Sequence, residues 1–356
     1  MTNERINRVL KQMNDKGLTQ LLVSDPVSIR YLTNANVYPG ERFYALLLKQ
    51  NNEHILFMNK LFMKQDTAIK EIWYQDSDNY MDMVISYLDK DKVLGVDKTL
   101  NAKFLIPIIN NGNIRCELGS DCVDDTRAIK DEAEIASMIE NSLINDQVML
   151  YAKTCIKEGT SEKELAELID KKYLELGCQR NAFPPICSFG KNGADPHHMP
   201  DDTRLQKGDS IVLDIGGCKD FYCSDMTRTY FYKEASELQR KVHDIVLKAN
   251  VEAEKIIRPG VRLCDIDLTA RNIIANEGYG EYFTHRLGHF IGQSGHEAGD
   301  VSSTNTNVVK EGMIFSIEPG IYLPGQFGVR IEDLVLVTKD GCHVLNHVEK
   351  PYEIIK

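Results

Sequence analysis

Two aspartates stand where a carboxylate is costly unless its charge is neutralised. Asp214 closes the apolar run 211–213, and Asp225 follows eleven residues later, ahead of a second β-prone run, 227–232. A Gly-Gly pair follows Asp214, so we predict a hairpin whose two strands bring both carboxylates to one place. Two adjacent carboxylates raise each other's pKa or bind a divalent metal, because such ions prefer hard oxygen ligands. From the hairpin alone, a pair of strand-end aspartates facing water is an equal alternative.

Three further side chains of ligand type lie in apolar surroundings. His289 is flanked by glycines, Glu318 ends an apolar strand, and Glu332 lies within 328–337, a run otherwise suited to a sheet interior. Each alone has a structural explanation: a core histidine, a strand-end acid, and an acid paired with Arg330. Together with the two aspartates, they form a set of four carboxylates and one imidazole. This is the ligand set that an oxygen-rich two-metal centre requires.

The composition limits the class of protein. The chain has 356 residues and a net charge of -11, with its basic residues scattered, so we expect two domains and neither a nucleic-acid nor an anionic-membrane partner. No apolar run approaches a membrane span and no signal-peptide core follows the N-terminus, which predicts a soluble, cytoplasmic protein. The nine cysteines contain no Cys-x-x-Cys pair, so we predict reduced thiols rather than disulfides or a thiolate metal site.

The first third of the chain is predicted to alternate helices and strands. An amphipathic helix over 5–16 precedes a strand at 21–23. Further elements are expected at 43–48, 54–57, 81–88 and 92–96. This pattern indicates an α/β unit without a phosphate-binding loop. A polar stretch at 125–132 leads into a long helix, so we place the domain boundary there, giving domains 1–126 and 127–356.

The second part contains helices and strands in pairs. Ser161 and Glu164 form a predicted capping box for one helix, and two more helices begin at 236 and 264. Strands are expected at 186–189, 313–317 and 329–337, besides the hairpin. The segments 212–217 and 315–320 are alike, since each is a buried strand that ends in an acid and a glycine turn. This similarity suggests two half-domains that face one centre.

These motifs resemble those of a known family. The Asp214/Asp225 hairpin, the His-x-x-Gly-His of 285–289, Ser-Ile-Glu-Pro-Gly at 316–320 and Arg-Ile-Glu-Asp at 330–333 are similar to signatures of the pita-bread metallopeptidases. That family includes methionine aminopeptidase, aminopeptidase P and prolidase, and the similarity covers 180–340. The N-terminal unit resembles the extra domain of prolidases, aminopeptidases P and creatinases. The implied fold is α/β (α+β), with a small N-terminal α/β domain before a C-terminal pita-bread catalytic domain.

The resemblance implies an enzyme that hydrolyses Xaa-Pro bonds of proline-containing dipeptides or short peptides. It implies a hydroxide that bridges two divalent metal ions, with Mn preferred and Co, Fe or Zn as alternatives. The implied ligands are Asp214 on one ion, His289 and Glu318 on the other, and Asp225 and Glu332 between them. His197 and His296 are implied to contact the substrate, and the protein is implied to be a homodimer.

The residues themselves suggest further roles. Arg330 is predicted to hold a bridging carboxylate or the substrate carboxylate in bidentate fashion, with a surface pairing to Asp333 as the alternative. His285 is expected to orient the site, and His198 is expected to be an exposed neighbour of His197.

The sequence departs from the family pattern at two positions. Phe290 replaces the usual glycine after the ligand histidine, and Asp300 stands where dipeptide-specific prolidases often carry an arginine for the substrate carboxylate. We therefore expect a dipeptidase that also cleaves longer peptides, with an aminopeptidase P as the alternative. Arg330, Arg286 or Arg42 could replace the missing cation. A non-catalytic binding module and a metal-free creatinase-like hydrolase remain alternatives, but both predict lost ligands and all five are present.

Overall fold

The computed structural model describes residues 2–356, which divide into two compact units. The first unit ends at Arg127 and the second runs from Ala128 to Lys356. This division falls one residue beyond the boundary placed after residue 126. Among the described residues, no helix is long and apolar enough to cross a membrane.

The first unit alternates strands and helices, and the amphipathic helix predicted over 5–16 is present as its first element. Its helices and strands are α1 (Thr2–Asp15), β1 (Gln20–Val23), α2 (Pro26–Thr33), β2 (Ala45–Lys49), β3 (Ile55–Asn59), β4 (Lys70–Tyr74), α3 (Tyr80–Ser86), β5 (Leu94–Val96), α4 (Ala102–Asn110), β6 (Cys116–Leu118) and α5 (Asp121–Ala128). The last of these ends at the unit boundary and contains part of the stretch 125–132, which the sequence analysis interpreted as a polar connection.

The strands of this unit form one mixed sheet in the order β4-β3-β2-β1-β5-β6. Side chains alternate between the faces of the sheet along each strand. In β2, Leu46 and Leu48 pack in one cluster with α1 and α2, whereas Ala45 and Leu47 pack in the other with α3 and α4. The sheet is therefore covered by helices on both faces.

The second unit contains the predicted site residues. Its helices and strands are α6 (Glu132–Cys155), α7 (Glu162–Glu175), β7 (Arg180–Asn181), β8 (Ile186–Phe189), β9 (Ser210–Ile215), β10 (Gly217–Lys219), β11 (Tyr222–Cys223), β12 (Met226–Tyr232), α8 (Glu237–Lys255), α9 (Leu263–Asn276), β13 (Gly288–Phe290), β14 (Glu297–Val301), β15 (Ile314–Ile317), β16 (Gly320–Leu323), β17 (Phe327–Arg330), β18 (Asp333–Val337), β19 (Cys342–Val344) and β20 (Ile354–Ile355). Two short 3-10 helices lie at Gly190–Ala194 and Gly280–Tyr282.

This unit has two half-domains, as the repeated acid-bearing segments suggested. In one half, α6 and α7 pack on the sheet β20-β12-β9-β8. In the other, α8 and α9 pack on the sheet β14-β13-β15-β18-β19. The capping box predicted from Ser161 and Glu164 is present at the start of α7, where each side chain satisfies the other's backbone N–H. Each helix pair thus covers one sheet that contributes an acid-bearing strand.

Two expectations about local structure are wrong. The run 329–337 is not one strand, because β17 ends at Arg330 and β18 begins at Asp333, which places Glu332 in the break. Cys218 and Cys223 are not reduced thiols but form a disulfide. These two cysteines face each other across β10 and β11 with 4.2 Å between their Cα atoms. Strand pairing brings them within disulfide reach, which their separation in sequence does not reveal.

Candidate metal centre

The two aspartates lie at the ends of paired antiparallel strands. Strands β9 and β12 pair so that Asp214 faces Thr227, while Asp225 directly precedes β12. The predicted hairpin therefore exists, with the small β10–β11 hairpin inserted at its tip. Asn346 donates from Nδ2 to the backbone carbonyl of Asp225 and so fixes the chain there. The antiparallel pairing brings both carboxylates to the same end of the sheet, as expected.

His289 and Glu318 come from the second sheet. Strand β13, which the sequence analysis did not predict, carries His289 and pairs with β15, after which Glu318 follows. The strands approach closely because position 288 is glycine: a Cβ there would lie 1.8 Å from the Ser316 carbonyl oxygen. Ser316 Oγ accepts a hydrogen bond from the His289 N–H and donates to Glu318 Oε1. One serine therefore orients both predicted ligands.

Glu332 is held by the first sheet although it belongs to the second half-domain. Its backbone N–H donates to the Thr227 carbonyl at 3.0 Å, and Thr227 Oγ1 donates to Glu332 Oε2 at 2.8 Å. Glu332 is buried, as is Thr227. The break between β17 and β18 lets the chain make these contacts in place of a ladder with a neighbouring strand. Glu332 thus joins the two half-domains at their centre.

Four of the five predicted ligands lie close together, and three of them lie within ligand-binding distance of one another. His289 Nε2 lies 3.5 Å from Asp225 Oδ2, 3.5 Å from Glu318 Oε1 and 3.9 Å from Glu332 Oε1. One ligand atom from each of Asp225, His289 and Glu332 lies within 4.8 Å of the others. Such atoms are close enough to share one cation.

The electrostatics of the cluster favour a bound cation. Burial and the neighbouring Asp214 raise the pKa of Asp225 well above its usual range, and burial and Asp225 do the same to Glu332. Burial raises the pKa of Glu318 to about 7. Asp225, Glu318 and Glu332 therefore cannot all ionise without neutralisation by positive charge.

Unpartnered oxygens indicate where such a charge would bind. Asp214 Oδ1, Asp225 Oδ1 and Glu332 Oε1 are buried and have no hydrogen-bond partner among the described residues. A buried carboxylate oxygen without a partner is costly, but it is the form that a metal ligand takes. These residues therefore fit divalent metal ions.

Arg330 is buried beneath the cluster and makes contacts that differ from the prediction. Its Nη2 donates to Asp214 Oδ2 at 2.6 Å, its Nε to Thr227 Oγ1 at 3.1 Å and its Nη1 to the Tyr322 hydroxyl at 2.9 Å. The expected bidentate grip on a bridging carboxylate is wrong, because the guanidinium spreads its donors over these three side chains and the Pro196 carbonyl. The alternative pairing with Asp333 is also wrong, since that carboxylate pairs with Arg228 and Lys350.

Tyr322 extends this network to His285. The Tyr322 hydroxyl lies 2.9 Å from His285 Nε2, and the other ring nitrogen lies 2.7 Å from the carbonyl of Arg286. Burial lowers the pKa of His285 to about 4, so the ring is neutral at pH 7. Because a carbonyl can only accept, Nδ1 donates and Nε2 accepts from Tyr322. His285 therefore contributes to the contacts that orient Arg330 and, through it, Asp214.

The cluster forms one wall of a cavity of about 660 Å³. His197 and His296, for which the resemblance implied contact with the substrate, both line this cavity. The His296 ring stacks on that of His289, with 3.7 Å between the ring centroids. Burial lowers the pKa of His296 to about 4, so it is neutral at pH 7. The cavity also has an apolar wall, which is formed by Phe183, Pro184, Ile186 and Met199.

His198 is not an exposed neighbour of His197. Its Nε2 lies 2.7 Å from Oε2 of Glu162, whose side chain is fully buried. The backbone N–H groups of Phe189 and Asp201 also donate to this carboxylate. Glu162, His198 and Asp201 could hold a metal by residue type, but hydrogen bonds already satisfy Glu162. The contact instead anchors the loop that carries His197, a long-range pairing that sequence adjacency could not indicate.

Asp300 faces His289 across the paired strands β13 and β14. Its Oδ1 accepts hydrogen bonds from Ser302 Oγ at 2.9 Å and Asn305 Nδ2 at 3.2 Å. Among residues 2–356, those that line the cavity include Arg286 but not Asp300.

Sequence reasoning missed two residues that organise the centre, Thr227 and Tyr322. Thr227 had a weak signal, because it lies two residues after Asp225 and faces Asp214 across the predicted hairpin. Tyr322 had none, because its role depends on the close approach of β16 and β17. The apolar cavity wall was missed as well, since 183–199 gives no periodic pattern.

Comparisons with known proteins agree with this architecture. Residues 136–339 match the model of metallopeptidase family M24, and residues 5–107 match the creatinase/prolidase N-terminal domain. The chain belongs to metallopeptidase family M24. Its fold is mixed α/β, with the creatinase/prolidase N-terminal domain followed by the pita-bread domain, as the sequence predicted.

Individual relatives span the full length of the chain. An uncharacterized peptidase from Staphylococcus aureus is 35% identical and is covered to 99%, with 97% of this chain matched. A prolidase from Pyrococcus horikoshii is similar in structure, with a TM-score of 0.89, 32% identity and coverage of 98% of this chain and 99% of that one. An X-Pro aminopeptidase from Thermotoga maritima gives a TM-score of 0.82 at 29% identity, covering 95% and 98%.

Proposed function

We propose that this metallopeptidase hydrolyses Xaa-Pro peptide bonds and that Xaa-Pro dipeptides are its preferred substrates. The observation that carries the proposal is the convergence of Asp225, Glu318 and Glu332 on His289 beside a cavity that Asp214 also lines, with three carboxylate oxygens left unpartnered. In this proposal Asp214 would hold one divalent ion, His289 and Glu318 would hold a second, and Asp225 and Glu332 would be shared between them. Mn is the preferred ion, with Co, Fe and Zn as alternatives.

When bound, two such ions would lower the pKa of a shared water and polarise the scissile carbonyl. The chain's own residues supply orientation and hydrogen bonds. Arg330 fixes Asp214, and Thr227 fixes Glu332, so both carboxylates keep their free oxygens toward the centre. A preorganised ligand set needs no rearrangement as charge develops on the substrate, which lowers the barrier.

His296 and His197 are proposed to contact the substrate. Arg286 Nη2 lies 3.4 Å from His296 Nδ1 and can only donate, so the neutral ring carries its proton on Nε2. That N–H can donate to the developing oxyanion. His197 lines the same cavity, and its loop is anchored through Glu162. We assign to His197 a contact with the leaving proline, at its nitrogen or at its carbonyl.

The apolar wall supports proline at the leaving position. A peptide bond to proline is a tertiary amide without an N–H, so its ring needs an apolar surface and not a hydrogen-bond acceptor. Phe183, Pro184, Ile186 and Met199 provide such a surface beside the carboxylates. Cleavage of longer peptides, as in an X-Pro aminopeptidase, is the second candidate, favoured by the cavity volume of about 660 Å³. A non-catalytic binding module is disfavoured, because all five ligand residues are kept.

Hydrolysis assays test the proposal directly. Protein freed of metal and reloaded with Mn is expected to cleave Ala-Pro and, more slowly, Ala-Pro-Ala. The kcat/KM for Ala-Ala should be at least tenfold lower than that for Ala-Pro, which is roughly the effect of one lost apolar contact. Chelation by EDTA should abolish turnover. Equal rates on Ala-Pro and Ala-Ala would contradict the proline specificity, and turnover in EDTA would contradict the metal dependence.

Two further properties remain proposals from the family resemblance. We propose that the protein is a cytoplasmic homodimer. Light scattering at micromolar concentration should then give twice the chain mass of 40.4 kDa. A monomer mass would contradict the assembly without affecting the proposed reaction.

A further inference from the structure

A segment near the C-terminus is tied to the backbone of both carboxylates that are proposed to be shared between the ions. Residues 346–350 follow β19 and form this segment, which we call the strap. Asn346 of the strap donates from Nδ2 to the Asp225 carbonyl at 3.1 Å, and its Oδ1 accepts from the Leu334 N–H at 2.7 Å. One buried amide therefore joins the chain at Asp225 to strand β18, which begins directly after Glu332.

The strap also reaches Glu332, through Arg228. The Arg228 Nε and Nη2 atoms both donate to the Val348 carbonyl, at 3.0 and 2.7 Å. Its Nη1 donates to the carbonyls of Thr227 and Glu332, at 2.9 and 2.7 Å, and Nη2 also donates to Asp333 Oδ1 at 2.7 Å. A guanidinium has five N–H donors, so these five hydrogen bonds use them all. The buried Arg228 thus links the strap to the peptide group of a predicted ligand.

The strand break explains why Glu332 needs this contact. Within a sheet, the neighbouring strand satisfies the backbone N–H and carbonyl of each residue, but Glu332 lies between β17 and β18. Its N–H donates to the Thr227 carbonyl, and its own carbonyl accepts from Arg228. Arg228 therefore supplies a hydrogen bond that a neighbouring strand would otherwise supply.

The charge of Arg228 is balanced away from the centre. The Asp333 carboxylate pairs with Arg228 through Oδ1 and with Lys350 of the strap through Oδ2, each at 2.7 Å. Lys350 also pairs with Glu254. Arg228 contacts Glu332 at its carbonyl, and Glu332 Oε1 stays unpartnered among the described residues. Arg228 can therefore fix this ligand without competing with an ion for its carboxylate.

The separation of the two shared carboxylates depends on these anchors. His289 Nε2 is 3.5 Å from Asp225 Oδ2 and 3.9 Å from Glu332 Oε1, although the two acids belong to different half-domains. Metal–ligand distances tolerate deviations of only about 0.2 Å. A segment that ties both backbones together therefore controls whether the two carboxylates can share their ions.

We propose that the strap positions Asp225 and Glu332 for binding two divalent ions, with Asn346 and Arg228 as its positioning residues. This inference rests on the proposed function and concerns the same centre. Each of the two residues acts through the backbone carbonyl of a ligand. Residues that orient metal ligands in this way typically contribute about 10- to 100-fold in metal affinity.

The test is titration of metal-free full-length protein with Mn by isothermal titration calorimetry. Asn346→Asp keeps the acceptor for the Leu334 N–H but loses the donor to Asp225. Arg228→Lys keeps the charge beside Asp333 but cannot reach all five acceptors. We expect the weaker of the two Mn dissociation constants to rise about 10- to 100-fold in each variant. The negative charge added by Asn346→Asp would by itself strengthen cation binding, so weaker binding reports lost positioning.

Two further measurements separate positioning from general destabilisation. Mn binding raises the unfolding midpoint of the wild type, and this increase should be smaller in both strap variants because their affinity is lower. Excess Mn should restore part of their Ala-Pro hydrolysis. Circular dichroism in EDTA establishes that each variant is folded. If Arg228→Lys does not fold, Asn346→Asp decides the question, because it exchanges one amide nitrogen for oxygen.

The matched control is Asn59→Asp in the first unit. Asn59 is buried, accepts from the Leu61 N–H at 2.9 Å and donates to Asp76 Oδ1 at 2.8 Å. The same exchange there also keeps the acceptor and loses the donor. We expect Asn59→Asp to lower the unfolding midpoint in EDTA and to leave both Mn dissociation constants unchanged.

The outcomes distinguish this inference from the proposed function. Mn binding as tight as in the wild type in the folded strap variants, or an equal loss of affinity in Asn59→Asp, would overturn the role of the strap. If the wild type binds two ions but hydrolyses no Xaa-Pro peptide, the proposed function fails and the role of the strap in metal binding stands. If the wild type binds fewer than two ions, both fail.

Discussion

Arg330 donates a hydrogen bond from Nη2 to Oδ2 of Asp214 at 2.6 Å, and both side chains are buried. The bond leaves Asp214 Oδ1 without a partner in the part of the chain that the structure describes. An arginine that holds one oxygen of a carboxylate orients the other oxygen. The pair therefore connects the hydrogen-bond network of Tyr322 and Thr227 to the proposed metal centre.

Arg330→Lys should weaken metal binding and turnover although it conserves the charge. An ammonium group is a point charge and cannot reach Asp214, Thr227 and Tyr322 at once, so buried acceptors lose their donors at about 1–3 kcal/mol each. We expect kcat to fall at least tenfold and the Mn concentration needed for half-maximal activity to rise. Metal titration of activity measures both.

The exposed Arg258→Lys is the matched control and should behave as wild type. Wild-type metal affinity and turnover in Arg330→Lys would show that the orientation of Asp214 does not depend on this guanidinium.

His296→Ala and His197→Ala should each keep both ions but reduce kcat about 100-fold or more, because transition-state hydrogen bonds or proton transfers are lost. Neither ring contributes to the converging set of Asp225, His289 and Glu332. Steady-state kinetics and elemental analysis on the same preparations test this expectation. Loss of metal from either variant would identify that histidine as a ligand and refute the assignment made here.

His243 should make the stability of the second unit sensitive to acid. Its ring is buried against Phe231 and Tyr352, and burial lowers its pKa from 6.5 to about 4. The unfolded chain therefore takes up a proton between these pH values while the folded chain does not. The stabilisation from this residue is complete above pH 6.5 and is lost progressively as the pH falls from 6.5 to 4, up to about 3 kcal/mol.

Replacement of His243 by phenylalanine should reduce this dependence. Urea unfolding in EDTA, followed by circular dichroism at pH 7 and pH 4, should show a smaller loss of stability in His243→Phe than in wild type. His343→Phe, on the exposed face of β19, is the control for removal of a histidine. An equal loss in wild type and His243→Phe would contradict a lowered pKa at this position.

The sequence predicted the parts of the site that depend on local pattern. Asp214 and Glu318 lie at the ends of apolar strands, and α7 begins with a capping box at Ser161, so apolar runs and capping were sufficient to locate them. Contacts between distant segments were not predictable in this way. The partner of Arg330 is 116 residues away and that of His198 is 36 residues away, and one chain gives no signal for such pairs.

Backbone breaks were the other source of error. The run 329–337 has the composition of a continuous buried strand, but its chain leaves the ladder at Ile331 and Glu332 to contact Thr227. Tertiary contacts there outweigh strand propensity, as expected for a residue placed at a functional site. The Cys218–Cys223 disulfide depends in the same way on strand register, which composition could not provide.

The proposed two-metal centre is tested most directly by the metal content of variants in which the shared ligands are neutralised. Four Mn-reconstituted proteins would be passed through a desalting column, and their Mn content would be measured by elemental mass spectrometry. They are the wild type, Asp225→Asn, Glu332→Gln and the exposed control Glu311→Gln. Loss of a shared carboxylate leaves two cations with less negative charge between them. We predict two ions per chain in wild type and the control, and one or none in Asp225→Asn and Glu332→Gln, with peptide hydrolysis abolished. Two ions per chain and retained hydrolysis in both variants would contradict the dinuclear centre.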